Sequence, residues 1–235
     1  MASVTARYRQ IVEVLARNGL AALAAQIGLR DHLPQALRHH HAEERLPMGP
    51  ERLRTALEEL GPTFVKLGQM LSTRSDLLPA DYIAELTKLQ DSATPVPYEA
   101  IAASIRRELG ADPHELYPSF AEAPLATASI GQAHRARLHD GTEVIVKVRK
   151  PGVTAEVRAD LDVMKQLASL AAREWELARD VDIEALVDAF HRMMLGELDY
   201  RTESANAEQF RQNLAENPAV RIPLVVEELT TSYVL

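Results

Sequence analysis

The sequence of 235 residues contains no cysteine. This absence excludes a disulfide framework, a thiolate nucleophile and a zinc site built on sulfur, and it fits a cytosolic protein. No stretch approaches the roughly 20 apolar residues that a membrane-spanning helix needs. The amino terminus also lacks the basic and then apolar segments of a signal peptide. Together, these features predict a soluble, cytoplasmic protein.

The sequence has fewer basic residues than acidic residues. The chain has 26 Lys and Arg residues against 34 Asp and Glu residues, which gives a net charge of −8. Residues 151–200 alone hold 11 acidic and 5 basic side chains. Because a nucleic-acid-binding surface needs a basic stripe, this balance predicts that nucleic acid is not a partner.

The first 49 residues read as a helical segment followed by a linker. Apolar residues recur at helical spacing over residues 4–30, and four arginines, Arg7, Arg9, Arg17 and Arg30, give the segment a basic polar face. This segment fits either a helix that contacts a membrane surface or a partner, or a helix docked on its own domain, and we favour the second. We interpret the run His39 to His41 as solvated linker, since it lacks the acidic neighbours that metal-binding histidines use.

Residues 50–117 are predicted to form a purely helical region. Apolar side chains again recur at helical spacing, and Gly61-Pro62 marks the end of one helix and the start of the next. Pro79 opens a further helix, and Gly110 ends the last.

From about residue 118 the pattern changes from helical to alternating, which indicates a different domain over residues 118–235. Residues 133–138 and 143–148 predict two antiparallel strands joined by a tight turn at His139-Asp140-Gly141. Three further predictions concern the rest of this region: a helix over 154–172, a long helical segment over 182–217 that Gly196 interrupts, and short strands at 224–226 and 233–235. The fold class predicted is α+β.

Lys147 is the first candidate for chemistry. It follows Ile145 and Val146 on an apolar strand, where an ammonium group is costly to bury unless an anion meets it. A phosphate and a helix glutamate are suitable partners. The alternative is that the side chain simply extends to water, as strand-end lysines commonly do. Upstream, the turn over residues 124–132 is rich in alanine, so it should be stiffer than a glycine-rich phosphate loop.

Four short segments occur in order along the chain: Lys66-Leu67-Gly68-Gln69, the alanine-rich run 126–132, Val146-Lys147 and Glu197-Leu198-Asp199. Together they resemble the UbiB/AarF family of atypical protein-kinase-like proteins, over about residues 50–235. The resemblance implies a protein-kinase-like amino-terminal lobe, a small antiparallel sheet plus helices, at 118–235. A family-specific helical extension would precede this lobe at 50–117.

The resemblance also implies roles for individual residues. Lys147 would contact the phosphates of a nucleotide, with Glu203 as its helix glutamate. The residues that would cover the phosphates are Ala126, Thr127, Ala128, Ser129 and Gly131. Lys66 and Gln69 would lie across the active site and restrict access by a protein substrate. The acids Glu197 and Asp199 would face them, with Lys66 and Glu197 as an ion pair.

The residues themselves add two expectations. Asp199 and Glu203 are four residues apart and would share a helix face, while Gly68 would allow close approach to another backbone. Without the resemblance, the three acids 197, 199 and 203 read as an ordinary solvated helix face. Thr127 departs from the small residue expected there, and its hydroxyl could either touch a phosphate or narrow the pocket, which leaves the nucleotide preference open.

The sequence contains neither Asp-Phe-Gly nor His-Arg-Asp, motifs that kinases carry in their second lobe. The resemblance therefore implies a chain truncated before the hinge and second lobe, with the Mg²⁺ ligands in the missing part and little turnover by the fragment alone. The intact protein would be an ATP- and Mg²⁺-using atypical kinase or ATPase. It would support isoprenoid-quinone (ubiquinone-type) biosynthesis or lipid homeostasis, peripheral to a membrane, with membrane lipid or quinone-biosynthesis proteins as partners. Two alternatives stay open: a non-catalytic nucleotide-sensing pseudokinase or lipid-binding regulatory module, and a helical interaction protein.

Overall fold

The computed structural model describes residues 4–19, 49–89 and 94–235. We number the helices α1 to α10 in chain order: Val4–Arg17, Pro50–Leu60, Pro62–Leu71, Ala80–Leu86, Tyr98–Leu109, Pro113–Leu116, Val153–Glu174, Glu176–Asp180, Ile183–Glu197 and Tyr200–Asn213. The strands β1 to β4 are Ser119–Phe120, Ala126–Thr127, Gly131–Arg137 and Glu143–Arg149, and a 3₁₀ turn covers Glu227–Leu229. This mixture of helices and a small antiparallel sheet confirms the α+β prediction.

The predicted helix boundaries at glycine and proline are confirmed. Gly61 has a φ of 96° and ends α2, and Pro62 begins α3 at a position where its missing N–H costs nothing. Gly110 ends α5 in the left-handed conformation with a φ of 80°, and its N–H donates to the carbonyl of Arg106.

Two compact units make up the chain. The first contains the described parts of Met1–Asp91 together with Ala155–Arg192, and the second contains those of Ser92–Thr154 together with Met193–Leu235. These units divide the chain differently from the predicted boundaries after residues 49 and 117. The reason is packing: α5 joins the sheet in the second unit, while most of α7 belongs with the amino-terminal helices of the first.

The first unit is helical and includes α1, which packs against α2. Ile11, Val12 and Leu15 of α1 are buried, so the helix is docked on its own unit as favoured above. Arg7 is buried as well, although the sequence placed it on a basic polar face. The helix ends at Arg17, before a turn at residues 18–19, whereas residues 20–30 of the predicted helix and the run His39 to His41 lie outside the described residues. None of the described helices is both long and apolar enough to cross a membrane.

The second unit is built on a four-stranded antiparallel sheet. Strand β3 pairs with β1, β2 and β4, and the β3–β4 ladder runs from Gly131 opposite Arg149 to Arg137 opposite Glu143. The tight turn between these strands has Gly141 at a φ of 91°, as predicted from the sequence. One face of the ladder packs on α5 in a core that includes Ile105, Val146 and Val148.

Of the two short strands predicted at 224–226 and 233–235, the first is absent, and the second is reduced to a bridge flanked by backbone hydrogen bonds to β4. Residues 224–226 form no strand, because their backbone finds no ladder partner and Leu224 is 79% exposed. Of the predicted strand 233–235, Val234 makes a single bridge to Val148. The helical segment is interrupted just after Gly196, at Leu198 and Asp199, where α9 ends and α10 begins.

Candidate functional site

Lys147 and Glu203 form an ion pair in the second unit. The Nζ atom of Lys147 on β4 lies 2.5 Å from Oε2 of Glu203 in the first turn of α10. The two side chains remain 34% and 48% exposed, so the pair is open to solvent on one side. The structure thereby brings together two residues that are 56 positions apart in the sequence.

The backbone of Lys147 is held firmly from both sides. Lys147 pairs with Ala133 across the β3–β4 ladder. On its other side, its N–H donates to the carbonyl of Leu235 at 2.7 Å, and its own carbonyl accepts from the N–H of Leu235 at 2.9 Å. A lysine fixed in this way presents its ammonium group from a defined position.

An open cleft of about 1350 Å³ lies in front of this pair. Its walls combine the outer face of the β3–β4 ladder, one side of α10 and the segment that precedes the 3₁₀ turn, and they include Arg135, Ile145, Lys147, Glu203, Ala207 and Leu224. Ile145 of β4 is 50% exposed. A cleft with charged side chains of both signs and an apolar wall suits a ligand that has both a charged and a flat apolar part.

The alanine-rich run forms a hairpin, and its members do not line this cleft. Ala126 and Thr127 form β2 and pair with Ala133 and Gln132, where the sequence predicted loop. Because Ala126 faces Ala133 and Ala133 faces Lys147, Ala126 lies on the same face of the sheet as the lysine, two strands or about 10 Å away. The hairpin therefore starts on the lysine's face of the sheet but not in contact with the lysine.

The far end of the hairpin is buried. Ser129 is 6% exposed, and its Oγ has no hydrogen-bond partner among residues 4–19, 49–89 and 94–235. Gly131 begins β3 and is buried against Tyr200. These two positions are therefore packed into the unit, and the phosphate-covering role that the resemblance implied for them stays a prediction.

The two acids of the Glu-x-Asp segment occupy different positions. Glu197 is the last residue of α9 and is exposed. Asp199 caps α10, where its carboxylate accepts the N–H of Arg201 at 3.1 Å and pairs with the guanidinium group of Arg201. The expectation that Asp199 and Glu203 share a helix face is wrong, because Asp199 precedes the helix. The hydrogen bonds from Arg201 lower the pKa of Asp199 below its usual value.

Lys66 and Gln69 lie on α3 in the first unit. The amide of Gln69 donates to the carbonyl of Leu89 at 3.2 Å, and Lys66 is half-buried. A Cβ atom on Gly68 would come within 2.3 Å of Leu89 and 2.8 Å of Leu57. The lack of a side chain on Gly68 thus makes room for two leucine side chains, whereas the sequence predicted close approach to another backbone. Lys66 and Glu197 belong to different compact units, and their pairing stays a prediction.

Sequence reasoning missed a buried polar contact at Gln132. This side chain is 1% exposed; its oxygen accepts the N–H of Val96, and its amide faces the carbonyl of Val96 at 3.4 Å. Nearby, Lys150 is 8% exposed and donates from Nζ to the carbonyl of Thr94 at 3.1 Å. Burial lowers the pKa of Lys150. Both side chains fix the segment that leads into α5. The sequence signal that could have identified the Gln132 contact is a polar residue at an inward position of a strand.

Comparison with known proteins supports a kinase-like assignment. Residues 88–235 match the ABC1 atypical kinase-like domain. A probable protein kinase UbiB from Marinobacter nauticus is 41% identical over 197 residues, which cover 84% of this chain and 36% of that protein. A probable protein kinase UbiB from Pseudomonas aeruginosa is 42% identical over 174 residues, which cover 74% and 33%. The chain therefore spans about a third of the length of these curated relatives.

A solved structure shows a related fold. Rv3197 from Mycobacterium tuberculosis, determined as a complex with erythromycin, has a TM-score of 0.54 and 34% sequence identity to this chain. The similarity covers 78% of this chain and 46% of that one. Together with the domain match, it confirms the kinase-like α+β lobe predicted from the sequence.

Proposed function

Because the chain belongs to the ABC1 atypical kinase-like family, we propose that it provides the nucleotide-binding amino-terminal part of a UbiB-type atypical kinase or ATPase. The observation that carries this proposal is the ion pair between Lys147 and Glu203 beside an open cleft. In kinases, a strand lysine held by a helix glutamate contacts the nucleotide phosphates. The helix glutamate fixes the direction of the ammonium group and leaves its remaining N–H donors for the ligand.

The residues present fit a nucleotide phosphate. The ammonium group of Lys147 is partly exposed, faces the cleft and has N–H donors beyond the one directed at Glu203. A charge-assisted hydrogen bond to a phosphate oxygen is short and strong in such a position. We place the phosphates at Lys147, on the face of the sheet that the lysine shares with Ala126.

We assign the Mg²⁺ ligands to the part of the longer protein that this chain does not span. Mg²⁺, when bound, neutralises charge on the phosphate oxygens. Within the described ranges, no group of three His, Asp or Glu side chains could hold a metal ion. The contribution of this chain is thus to bind and orient the nucleotide through Lys147, with Glu203 holding the ammonium group.

The domain match alone does not specify a physiological role for the whole protein. The relatives named UbiB support a role in isoprenoid-quinone (ubiquinone-type) biosynthesis or related lipid homeostasis. We propose that the protein acts peripherally at a membrane, with membrane lipid or quinone-biosynthesis proteins as partners. ATP is the nucleotide proposed, and Thr127 at the hairpin is the residue to vary when nucleotide preference is measured.

Lys147→Ala in the full-length protein should weaken ATP binding by about 10- to 100-fold, the usual loss for a hydrogen bond to a charged group. Isothermal titration calorimetry with and without Mg²⁺ measures this change. The matched control is Lys165→Ala, which removes another partly exposed lysine in an ion pair, 2.9 Å from Asp188. An ATP affinity that is the same in Lys147→Ala and the wild type would reject the proposed site.

A further inference from the structure

Gly131, at the end of the hairpin, lies against the side chain of a tyrosine. A Cβ atom at this position would come within 2.2 Å of the hydroxyl oxygen of Tyr200 and 3.1 Å of the carbonyl oxygen of Val148. Gly131 is in strand β3, and its φ lies outside the left-handed region. The backbone conformation therefore does not require a glycine at position 131. The glycine is needed because it leaves space for the tyrosine.

Tyr200 is the first residue of α10 and is 1% exposed. The Nζ atom of Lys147 lies 4.8 Å from the centre of its ring, within the range of a cation–π contact. Glu203 follows Tyr200 by three residues and so occupies the same side of the first helical turn. The two residues thus approach the same ammonium group, one through its ring and the other through its carboxylate.

The hydroxyl group of Tyr200 has no hydrogen-bond partner among the residues that the structure describes. Hydrogen bonding among these residues therefore does not explain why the Tyr200 hydroxyl lies beside Gly131. Packing explains it. The backbone N–H of Tyr200 donates to the carbonyl of Ser232 at 3.3 Å, which fixes the start of α10 from a second direction. Tyr200 is absent from the cleft lining, so it acts through its neighbours.

We propose that Tyr200 is a positioning residue, and that its fit against Gly131 sets where the first turn of α10 meets the sheet and so places Glu203 beside Lys147. This inference rests on the nucleotide site proposed above. In this proposal Gly131 does not contact the ligand, unlike a glycine in a phosphate-binding loop. It is needed because its lack of a side chain leaves room for Tyr200.

The test is a pair of substitutions in the full-length protein. Gly131→Ala should push the tyrosine hydroxyl away, displace Glu203 and weaken ATP binding on the order of tenfold, since small misplacements at a binding site have large effects. Tyr200→Phe alone is the reference for the double variant, because it removes only the hydroxyl oxygen, which has no described partner, and keeps the ring beside Lys147.

The double variant Gly131→Ala/Tyr200→Phe should recover most of the lost affinity. Without the oxygen, the next tyrosine atom near the new Cβ is Cζ at 3.5 Å, an ordinary contact. The 3.1 Å contact with the Val148 carbonyl remains, so the recovery should be partial. Equal ATP affinities for Gly131→Ala and the double variant would overturn the inference, as would an unchanged affinity in Gly131→Ala.

Two further measurements separate this inference from the proposed function and from a purely structural role. Glu203→Gln should weaken ATP binding in the wild-type background and have little effect in Gly131→Ala, because the glutamate is already displaced there. If the wild type binds no ATP, the proposed function fails, and amide hydrogen exchange still decides the inference. Exchange at residues 200–203 should be faster in Gly131→Ala and return toward the wild-type rate in the double variant; unchanged exchange in Gly131→Ala would contradict it.

Discussion

Asp160→Ala is expected to lower the free energy of unfolding of the first unit by about 3–5 kcal/mol, the usual effect of removing one partner from a buried ion pair. Asp160 is fully buried on α7, and its two carboxylate oxygens accept hydrogen bonds from the guanidinium group of Arg7. Arg7 also donates to the side chain of Gln10 at 2.8 Å and to the carbonyl of Leu60 at 2.6 Å. Without Asp160, a buried cation keeps only neutral partners.

Urea unfolding followed by tryptophan fluorescence measures this effect. Trp175 is the single tryptophan of the chain and belongs to the same unit as Asp160. The matched control is Asp188→Ala, which removes an acid from the partly exposed pair with Lys165 and should change the stability far less. Similar effects for the two variants would show that the Arg7 pair is not buried in solution.

Ile105→Ala should destabilise the second unit by about 2–5 kcal/mol. Ile105 is fully buried on α5 and belongs to the core that also contains Val146 and Val148 of β4. These strand residues flank Lys147, so the cavity would open directly beneath the strand that presents the ammonium group. The prediction follows from α5 being part of the sheet unit, where the sequence had assigned it to the helical extension.

Hydrogen exchange of the β3–β4 ladder checks this prediction, because its amides report on the second unit. Ile105→Ala should accelerate exchange across the ladder, and Ile105→Val, which removes a single methyl group, should cost only about 0.5–1.5 kcal/mol. Ladder protection that is unchanged in Ile105→Ala would mean that α5 does not support the sheet.

The sequence was most informative where local chemistry decides the structure. The alternation over 133–148 and the Gly141 turn specify the hairpin and its register, since a slip by one residue would expose its inward face. The glycine and proline at 61–62 likewise fix the boundary between two helices. The pairing of Lys147 with Glu203 came from the family resemblance, and the structure shows the two atoms in contact.

Sequence reasoning failed where a residue depends on a distant partner. Arg7 looked like part of a solvated basic face because its partner, Asp160, is 153 residues away. Asp199 looked helical by spacing, but a short polar side chain just before a helix satisfies free N–H groups better as a cap. Gly131 looked like a loop glycine, and only the position of Tyr200 shows why a side chain is not tolerated there.

The central claim is that Lys147 binds the phosphates of a nucleotide, and comparing two ligands tests it most directly. The dissociation constants of ATP and adenosine should be measured for full-length wild type and Lys147→Ala. We expect the substitution to weaken ATP binding by about 10- to 100-fold and to leave adenosine binding within about twofold, because adenosine offers the ammonium group no phosphate. Equal weakening of both ligands, or an unchanged ATP affinity, would contradict the account.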